Sequence, residues 1–225
     1  MCGRYSLTNS KSKEIMERFG PVQIEFEFEP RYNITPSQQV PVVINQNGNK
    51  RLLMFHWGLI PHWARDESVA HKLINARAET LTEKPSFRES FEQRRCLVLA
   101  DGFYEWKKEG RVKIPYRIIM RDGKPFAFAG LWDTWLSPAG QRLNSCVIIT
   151  TGSNTLMETI HSRMPVILPK NMESIWLDSA YPIHKVKALL KPFPSEEMSA
   201  YEVSSLVNSP RKDEPACIYP VNRLF

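Results

Sequence analysis

The feature that most restricts the fold is a series of short β-rich runs joined by two-residue turn signals. The strongest signal is Asn47-Gly48, which separates a run at Val40–Asn45 from a run at Leu52–Trp57. Asn-Gly tolerates the positive φ angles that a tight hairpin needs at both turn residues. Glu109-Gly110 and Asp122-Gly123 divide the middle of the chain in the same way. Connections this short favour antiparallel strands, because parallel strands need longer crossovers that usually contain a helix.

Strands dominate the middle of the chain, and the predicted helices are short. Further β-rich runs are Leu97–Ala100, Phe103–Lys107, Tyr116–Met120, Pro125–Leu131 and Leu143–Thr150. Helices are predicted at Ser10–Phe19, Asn154–Ile160, Met172–Leu177 and Ile183–Leu190. The expected fold class is therefore α+β, as a single domain over residues 1–225. Its sheets are expected to be largely antiparallel, twisted and barrel-like, with a few short flanking helices.

The composition excludes some classes of protein and leaves others open. The 225 residues are enough to bury a sizeable core, and 42% of them are hydrophobic, close to ordinary globular usage. Lys and Arg number 30 and Asp and Glu 24, so the net charge of +6 permits a polyanionic partner without requiring one. No apolar run approaches the ~20 residues that cross a bilayer, and the start of the chain lacks an apolar signal-peptide core. We therefore expect a cytoplasmic protein with no membrane partner.

The cysteines and histidines do not form a metal-binding pattern. Cys2, Cys96, Cys146 and Cys217 are widely spaced, and no two of them form a CxxC pair. This spacing fits reduced thiols in a cytosolic chain better than a disulfide framework. Cys96 and Cys146 lie in apolar runs and are interpreted as small buried core residues. Neither a metal nor another cofactor is expected.

Cys2 has a reactivity that an internal cysteine lacks, provided that Met1 is removed. It would then carry an α-amine and a thiol on adjacent carbons, with reference pKa values of ~7.7–8.0 and ~8.5. Such an aminothiol condenses with an aldehyde to close a five-membered thiazolidine ring. It can also act as an N-terminal nucleophile, in which the thiolate attacks an amide and the amine serves as base. On position alone, a cysteine that is second by chance is an equal alternative.

Three further side chains are candidates for acid–base or orienting roles. Glu105 lies in the run Phe103–Lys107, whose aromatic residues could raise the pKa of its carboxyl group. The alternative is an exposed strand carboxylate paired with Lys107. His161 follows a predicted helix and titrates near neutrality, or is a surface histidine at a helix end. Asn75 can orient an amine or a sugar hydroxyl, although a buried structural role is as consistent with the sequence.

Aromatic and basic residues between Trp57 and Arg77 suit a single strand of nucleic acid. Arg77 shares a strand face with Asn75 and can hold a phosphate through two hydrogen bonds. Trp63 is interpreted as a stacking platform for a base, a contact worth ~1–3 kcal/mol, whereas Trp57 is interpreted as a core residue. The mixed-charge segment Pro210–Pro215 is interpreted as a solvated turn and not as a DNA-binding arm.

Five segments follow one another along almost the whole chain: Met1–Tyr5, Arg31–Pro36, Leu73–Thr80, Ala100–Lys107 and Ile160–Leu168. Together they resemble the SRAP family, the SOS response-associated peptidases. The resemblance implies a protein of the DNA damage response that senses abasic sites in single-stranded DNA. The mature N-terminal cysteine would capture the lesion as a thiazolidine cross-link that shields it. The resemblance also implies a peptidase activity that acts in the removal of Met1.

The resemblance further implies roles for single residues. The implied catalytic group is Cys2 as nucleophile, with Asn75, Glu105 and His161 around it. The positions that contact DNA in the family correspond here to Arg4, Pro36, Trp63, Arg77 and Arg163. One departure concerns the loop of Trp63, where the family often has adjacent tryptophans and this chain has Ala64 after Trp63. A monomer that acts at the nucleoid is expected.

Other functions remain open on the residues alone. Glutamine amidotransferases of the N-terminal nucleophile type also begin Met-Cys-Gly, but they usually continue with Ile and carry a His-Arg-Gly-Pro segment that this chain lacks. A cysteine peptidase that acts on other proteins through Cys2 and His161 is a second alternative. A non-catalytic single-strand binder with aromatic platforms is a third. Only the abasic-site interpretation predicts a covalent adduct with DNA.

Overall fold

The structure, a computed structural model, describes residues 2–8, 15, 18–20, 23–24 and 29–221. In that part of the chain the strands are β1 (Tyr5–Leu7), β2 (Gln23–Ile24), β3 (Arg31–Ile34), β4 (Gln39–Gln46), β5 (Asn49–Trp57), β6 (Asn75–Arg77), β7 (Arg95–Ala100), β8 (Gly102–Glu109), β9 (Val112–Met120), β10 (Phe126–Leu136), β11 (Arg142–Gly152), β12 (Arg163–Pro165) and β13 (Met198–Glu202). The α-helices are α1 (Pro85–Gln93), α2 (Thr155–Glu158), α3 (Glu173–Leu177) and α4 (Ile183–Lys187). Short 3₁₀ helices lie at Glu67–Lys72, Ala78–Thr80, Lys170–Met172, Ser195–Glu197, Ser205–Asn208 and Pro215–Cys217.

Five strands of the larger sheet form a closed ring. Their order is β11, β10, β7, β4, β5, with antiparallel pairing at each step. The ring closes because β5 also pairs with β11, in parallel, with His56 opposite Ser145 and Trp57 opposite Cys146. β6 and β12 add to β11, and β2 adds to β5. Closure of the ring protects strand edges that would otherwise be open to pairing with another chain.

Packing inside this ring is tight enough to require a glycine at position 130. A Cβ atom there would lie 2.9 Å from Cys96 Sγ and 3.0 Å from the carbonyl oxygen of Val147. Cys96, Cys146 and Trp57 are all fully buried, which confirms the interpretation of these three residues as core residues.

The smaller sheet runs in the order β13, β9, β8, β1, β3, and every neighbouring pair in it is antiparallel. The N-terminal strand β1 is therefore an inner strand, with β8 on one side and β3 on the other. Tyr5 of β1 and Phe103 of β8 both pack edge-to-face against Phe128 of β10, with ring centroids 5.7 Å and 6.0 Å away. These aromatic contacts join the two sheets and hold the start of the chain against the core.

The expectation of an α+β fold with largely antiparallel sheets and short helices is confirmed. The turn signals are confirmed as well, because Asn47 and Gly48 have φ angles of 54° and 84° and connect β4 directly to β5. Gly110 and Gly123 also have positive φ, at 60° and 70°. Glycine or asparagine at these positions gives the chain a backbone conformation that most side chains disfavour.

The helices differ from the sequence-based expectation in two ways. The helix α1 was not expected, because its buried face consists mainly of Phe87 and Phe91, too few residues for a clear helical period. The predicted helix Ile183–Leu190 ends at Lys187. The predicted helix Ser10–Phe19 lies largely outside the described residues. The longest described helix has nine residues, so none in this part of the chain reaches the length that would cross a membrane.

The segment Pro210–Pro215 is largely exposed, as the interpretation of it as a solvated turn predicts, but one of its residues, Asp213, bonds it to β3. The carboxylate of Asp213 accepts hydrogen bonds from the backbone N–H groups of Tyr32 and Asn33, at 2.6 Å and 2.9 Å. It also forms an ion pair with Arg31. The fold therefore uses this acidic side chain to complete the hydrogen bonding of an edge strand.

Candidate active site

Cys2 is fully buried just before β1, and both sheets hold it in place. The side-chain N–H of Asn75 donates a hydrogen bond of 2.8 Å to the carbonyl oxygen of Cys2. Asn75 itself begins β6, which pairs in parallel with β11 of the ring. On the other side, the backbone N–H of Tyr104 in β8 donates to the carbonyl oxygen of Arg4 at 2.9 Å. The position of Cys2 is thus fixed by contacts on either side of it.

The thiol of Cys2 is held in its neutral form. Burial raises its pKa strongly, and the nearby carboxylate of Glu105 raises it further. The Sγ atom lies 3.9 Å from the carbonyl oxygen of Arg4, to which it donates a weak hydrogen bond. Because the thiolate is the nucleophilic form of cysteine, this side chain is a poor nucleophile at neutral pH in this state.

Glu105 is a buried carboxylate in the middle of β8, only 3% exposed. Burial raises its pKa, and the positive charge of His161 opposes this effect. A carboxyl group whose pKa is shifted toward neutrality can both give and take a proton during a reaction. The alternative interpretation of Glu105 as an exposed strand carboxylate is wrong, since the residue is buried.

His161 follows α2, the helix that Asn154 caps by accepting a hydrogen bond from the backbone N–H of Met157 at 2.8 Å. The Nδ1 atom of His161 lies 3.0 Å from the backbone nitrogen of Arg163. This contact orients the imidazole ring. The structure therefore brings all four candidate catalytic residues together: Asn75 contacts Cys2, the charge of Glu105 raises the pKa of Cys2, and the charge of His161 lowers the pKa of Glu105.

One polar atom of the Asn75 side chain has no hydrogen-bond partner within the described residues. Its Nδ2 is bonded to Cys2, but its Oδ1 is buried and accepts no hydrogen bond within the described residues. A buried acceptor without a donor costs free energy of about 1–3 kcal/mol. This orphaned oxygen is a suitable acceptor for an amine or hydroxyl group that enters the site.

The three arginines predicted to contact DNA lie in different environments. Arg77 is exposed at the end of β6. Arg163 donates two hydrogen bonds to the carboxylate of Glu79, at 2.6 Å and 3.0 Å. Arg4 is half-buried; it donates to the carbonyl oxygen of Val207 at 2.6 Å and lies over the ring of Trp106. Of the three, Arg77 is the one that presents its guanidinium directly to solvent.

Trp63 is 54% exposed on a loop that is otherwise held rigidly. Its neighbours are anchored to residues of β10 and β11 by three hydrogen bonds: Ile60 N–H to Ser145 Oγ at 2.8 Å, His62 N–H to Asp133 Oδ2 at 2.9 Å, and Trp135 Nε1–H to the Ala64 carbonyl oxygen at 2.8 Å. A large aromatic ring on a pre-organised loop loses little entropy when a partner stacks on it.

Pro36 is half-buried at the turn that leads from β3 to β4. The next residue, Ser37, has a φ of 70°, a conformation that few non-glycine residues adopt. The backbone N–H of Ser37 donates to the carbonyl oxygen of Trp57 at 2.8 Å and holds this turn in place.

Two charged residues near the site were not selected from the sequence. Asp101 is buried at the start of β8, where it accepts hydrogen bonds from Ser6 Oγ at 2.7 Å and from Arg117 at 2.9 Å. Glu79 pairs with Arg163. The available signal was their place inside the segments Leu73–Thr80 and Ala100–Lys107, where a charged residue next to candidate site residues calls for a partner.

Comparison with known proteins identifies the relatives of this fold and site. A family model described as SOS response associated peptidase (SRAP) matches residues 1–210. The chain belongs to the SRAP family. Abasic site processing protein YoqW of Bacillus subtilis (strain 168) is 48% identical to this SRAP chain over 223 residues, which cover 97% of this chain and 99% of YoqW. Abasic site processing protein HMCES of Xenopus tropicalis is 33% identical over 224 residues, which cover 85% of this chain and 66% of HMCES.

Solved structures show the same SRAP fold. A protein from Bacteroides thetaiotaomicron superimposes with a TM-score of 0.89 at 32% identity, covering 98% of this chain and all of that one (100%). A protein from Bordetella bronchiseptica superimposes with a TM-score of 0.78 at 26% identity, covering 90% of this chain and 100% of its own. The resemblance to the SRAP family stated from five sequence segments is confirmed.

Proposed function

We propose that this SRAP protein captures abasic sites in single-stranded DNA as a thiazolidine cross-link to Cys2, after removal of Met1. Its relatives YoqW and HMCES are named abasic site processing proteins. The observation that carries the proposal is the burial of Cys2 beside Asn75 and near Glu105. The Oδ1 atom of Asn75 has no hydrogen-bond donor within the described residues, and the pKa of the Glu105 carboxyl is raised. An aldehyde is the group that such an aminothiol traps.

The reaction needs no oxidant, reductant or metal. The α-amine of Cys2 adds to the aldehyde carbon of the open abasic sugar, and water leaves to give an imine. The thiol sulfur then adds to the imine carbon, forming a carbon–sulfur bond, while the thiol proton passes to nitrogen. The product is the thiazolidine ring, and one water is released for each cross-link.

The raised pKa of the Cys2 thiol supports an order in which the amine reacts first. A neutral, buried thiol is slow to attack an amide or an aldehyde directly. The imine intermediate places an electrophilic carbon next to the sulfur, so that ring closure is intramolecular and favoured by proximity. A peptidase that depends on the Cys2 thiolate is the second candidate function, and the family description favours it. The raised pKa of the thiol argues against it, because little thiolate forms at neutral pH.

Glu105 and Asn75 have distinct roles in this proposal. An abasic sugar is mainly a closed hemiacetal, and a proton must move between two of its oxygens before the aldehyde is exposed. Glu105, with its raised pKa, is the proton carrier for that step, and His161 lies close enough to influence its charge. Asn75 holds the carbonyl group of Cys2 through Nδ2 and offers Oδ1 to the amine or to a sugar hydroxyl.

The decisive experiment is incubation with a single-stranded oligonucleotide that contains one abasic site, followed by a denaturing gel. We expect a slowly migrating covalent band, with a mass one water below the sum of the components. A matched oligonucleotide with a tetrahydrofuran residue, which lacks the aldehyde, is the control and gives no band. No band from folded protein whose mass shows that Met1 is absent contradicts the proposal.

Variants of Cys2 test the residue itself. Cys2→Ala loses the thiol and is expected to form no stable band, although its amine can still give an imine that borohydride reduction traps. Cys2→Ser behaves in the same way, since an oxygen ring is far less stable than the sulfur ring. Peptide cleavage next to Cys2, without any adduct, is the outcome that favours the peptidase instead.

A further inference from the structure

The carboxylate of Glu79 binds the two terminal nitrogens of the Arg163 guanidinium. It accepts two hydrogen bonds, from Nη1 at 2.6 Å and from Nη2 at 3.0 Å. The same Nη2 donates to the backbone carbonyl oxygen of Thr150 at 2.7 Å, which fixes the guanidinium against β11. The Arg163 side chain is 20% exposed, whereas that of Glu79 is 53% exposed. The arginine is therefore held by the fold, and the glutamate is the partner with freedom to leave.

A second arginine, Arg77, also acts on Glu79 through its charge. Arg77 precedes it by two residues and is exposed at the end of β6. The hydrogen bonds from Arg163 lower the pKa of the Glu79 carboxyl, and the charges of Arg163 and Arg77 lower it further. Strand pairing explains this convergence, because Arg77 lies opposite Thr150 and Arg163 lies opposite Gly152, two residues further along β11.

A carboxylate held by a guanidinium fork has the same hydrogen-bonding pattern as a phosphate held there. Both present two anionic oxygens to two parallel N–H groups, and arginine binds either of them in this bidentate manner. While Glu79 is bound, the Arg163 fork has no open face for a second bidentate anion, since Nη1 and Nη2 both point at Glu79. A phosphate that reaches Arg163 must displace the carboxylate.

We propose that Glu79 holds the place of a DNA phosphate between Arg77 and Arg163, and that a single strand binds by exchanging one phosphate for this carboxylate. This inference rests on the proposed DNA-binding function of the site. The exchange makes binding selective, because a phosphate must engage both arginines to compensate for the lost Glu79–Arg163 pair. When the strand leaves, Glu79 returns to the fork and keeps the two arginines from binding small anions.

The exchange is tested by binding of an undamaged single-stranded oligonucleotide, measured by fluorescence anisotropy at one stated salt concentration. Glu79→Gln removes the competing charge and keeps the shape of the side chain. We expect about two- to fivefold tighter binding, the factor that corresponds to a partly exposed ion pair. Glu83→Gln is the matched control: it removes the same charge from an exposed residue four positions along the chain, and it is expected to change affinity much less.

Two further measurements show whether the gain in affinity comes from the Arg163 fork. In an Arg163→Ala background, Glu79→Gln is expected to give no gain, because there is no fork to release. Thermal unfolding of each variant shows that it is folded at the temperature of the assay. Affinity of Glu79→Gln equal to that of Glu83→Gln, or weaker than wild type, overturns the proposal and makes Glu79 a residue that orients Arg163. Because the oligonucleotide is undamaged, this result does not depend on whether abasic DNA gives the covalent band.

Discussion

At Glu105 the fold changes the acidity of a side chain through burial. A carboxylate that is 3% exposed loses most of its hydration, and the protonated form becomes more favourable. The fold keeps this costly group close enough to Cys2 to raise the pKa of its thiol, and close enough to His161 for the imidazole charge to oppose the effect of burial on the pKa of Glu105. Perturbed groups of this kind are concentrated at functional sites, which supports its assignment as the proton carrier.

Glu105→Gln is expected to slow adduct formation with abasic single-stranded DNA by roughly 10²–10⁴-fold, the range for loss of a general acid–base. The amide keeps the shape of the side chain but neither gains nor loses a proton near neutral pH. The measurement is a time course of the covalent band under single-turnover conditions. A rate within a factor of two or so of wild type would give Glu105 a purely structural role.

Glu105 also makes the stability of the fold depend on pH. Its native pKa is raised above the unfolded value of ~4.3, so the native state binds this proton more tightly. The contribution to stability is therefore complete below the unfolded value and is lost as the pH rises through the native pKa. Glu105→Gln is neutral throughout, so its Tm relative to wild type is expected to increase from about pH 4 to about pH 7. Glu83→Gln, a change at an exposed glutamate outside β8, is the control whose Tm difference is expected to stay nearly constant.

Single residues were predictable from the sequence where their chemistry is unusual, and less so where it depends on burial. Cys2 is conspicuous because an aminothiol can form at that position alone. Glu105 has a mixed neighbourhood of aromatic and basic residues, and only the pairing of β8 with β1 and β9 decides that it faces inward. The Arg163–Glu79 pair joins residues 84 positions apart, a contact that no local pattern contains.

Among the elements, β1 is hydrogen-bonded to a buried ion pair. Arg117 of β9 and Asp101, at the start of β8, are 7% and 6% exposed and lie 2.9 Å apart. Both also bind Ser6 of β1: the hydroxyl of Ser6 donates a hydrogen bond to Asp101 and accepts one from Arg117. The strand that carries Cys2 is thus tied to its neighbours by side chains as well as by the backbone ladder.

Asp101→Asn is expected to lower the free energy of unfolding by about 3 kcal/mol, because it leaves the buried charge of Arg117 without its counter-ion. Chemical denaturation at neutral pH measures the loss. Asp122→Asn, which removes an exposed ion pair with Lys124, is the control and is expected to change stability by less than about 0.5 kcal/mol. Equal effects of the two substitutions would mean that the Asp101 pair adds nothing to the anchoring of β1.

The hairpins were predictable because each is specified by a few consecutive residues. Asn47-Gly48 connects two strands with nothing between them, and turn chemistry of that kind acts locally. The ring closure between β5 and β11 was not predictable, since it pairs residues about ninety positions apart and in parallel. Helix α1 was missed because tertiary contacts of Phe87 and Phe91, and not a strong period, stabilise it.

On the scale of the whole molecule, the proposed DNA surface combines a charged part and an aromatic part that respond differently to salt. Arg77→Ala is expected to flatten the slope of log affinity against log salt by about 0.7, the value for one phosphate contact on a single strand. Trp63→Ala is expected to weaken binding by ~1–3 kcal/mol and leave the slope unchanged, because stacking releases no counter-ions.

The measurement is anisotropy with an undamaged single strand over a series of salt concentrations. Val112→Ala, which truncates an equally exposed apolar side chain at the turn between β8 and β9, is the control for loss of apolar surface. If Trp63→Ala and Val112→Ala bind alike, the ring of Trp63 is not a stacking platform. If Arg77→Ala keeps the wild-type slope, that guanidinium does not neutralise a phosphate.

The inner position of β1 has a consequence for the timing of biosynthesis. Tyr5 pairs with Phe103, so the strand that follows Cys2 has no partner in β8 until about a hundred more residues have been made. At the usual rate of translation, ~5–20 residues per second, this delay lasts ~5–20 s. Throughout that interval Cys2 lacks part of the enclosure that leaves it fully buried in the folded chain. A step on Cys2 that needs an enzyme acting from outside therefore has its easiest access before β8 pairs with β1.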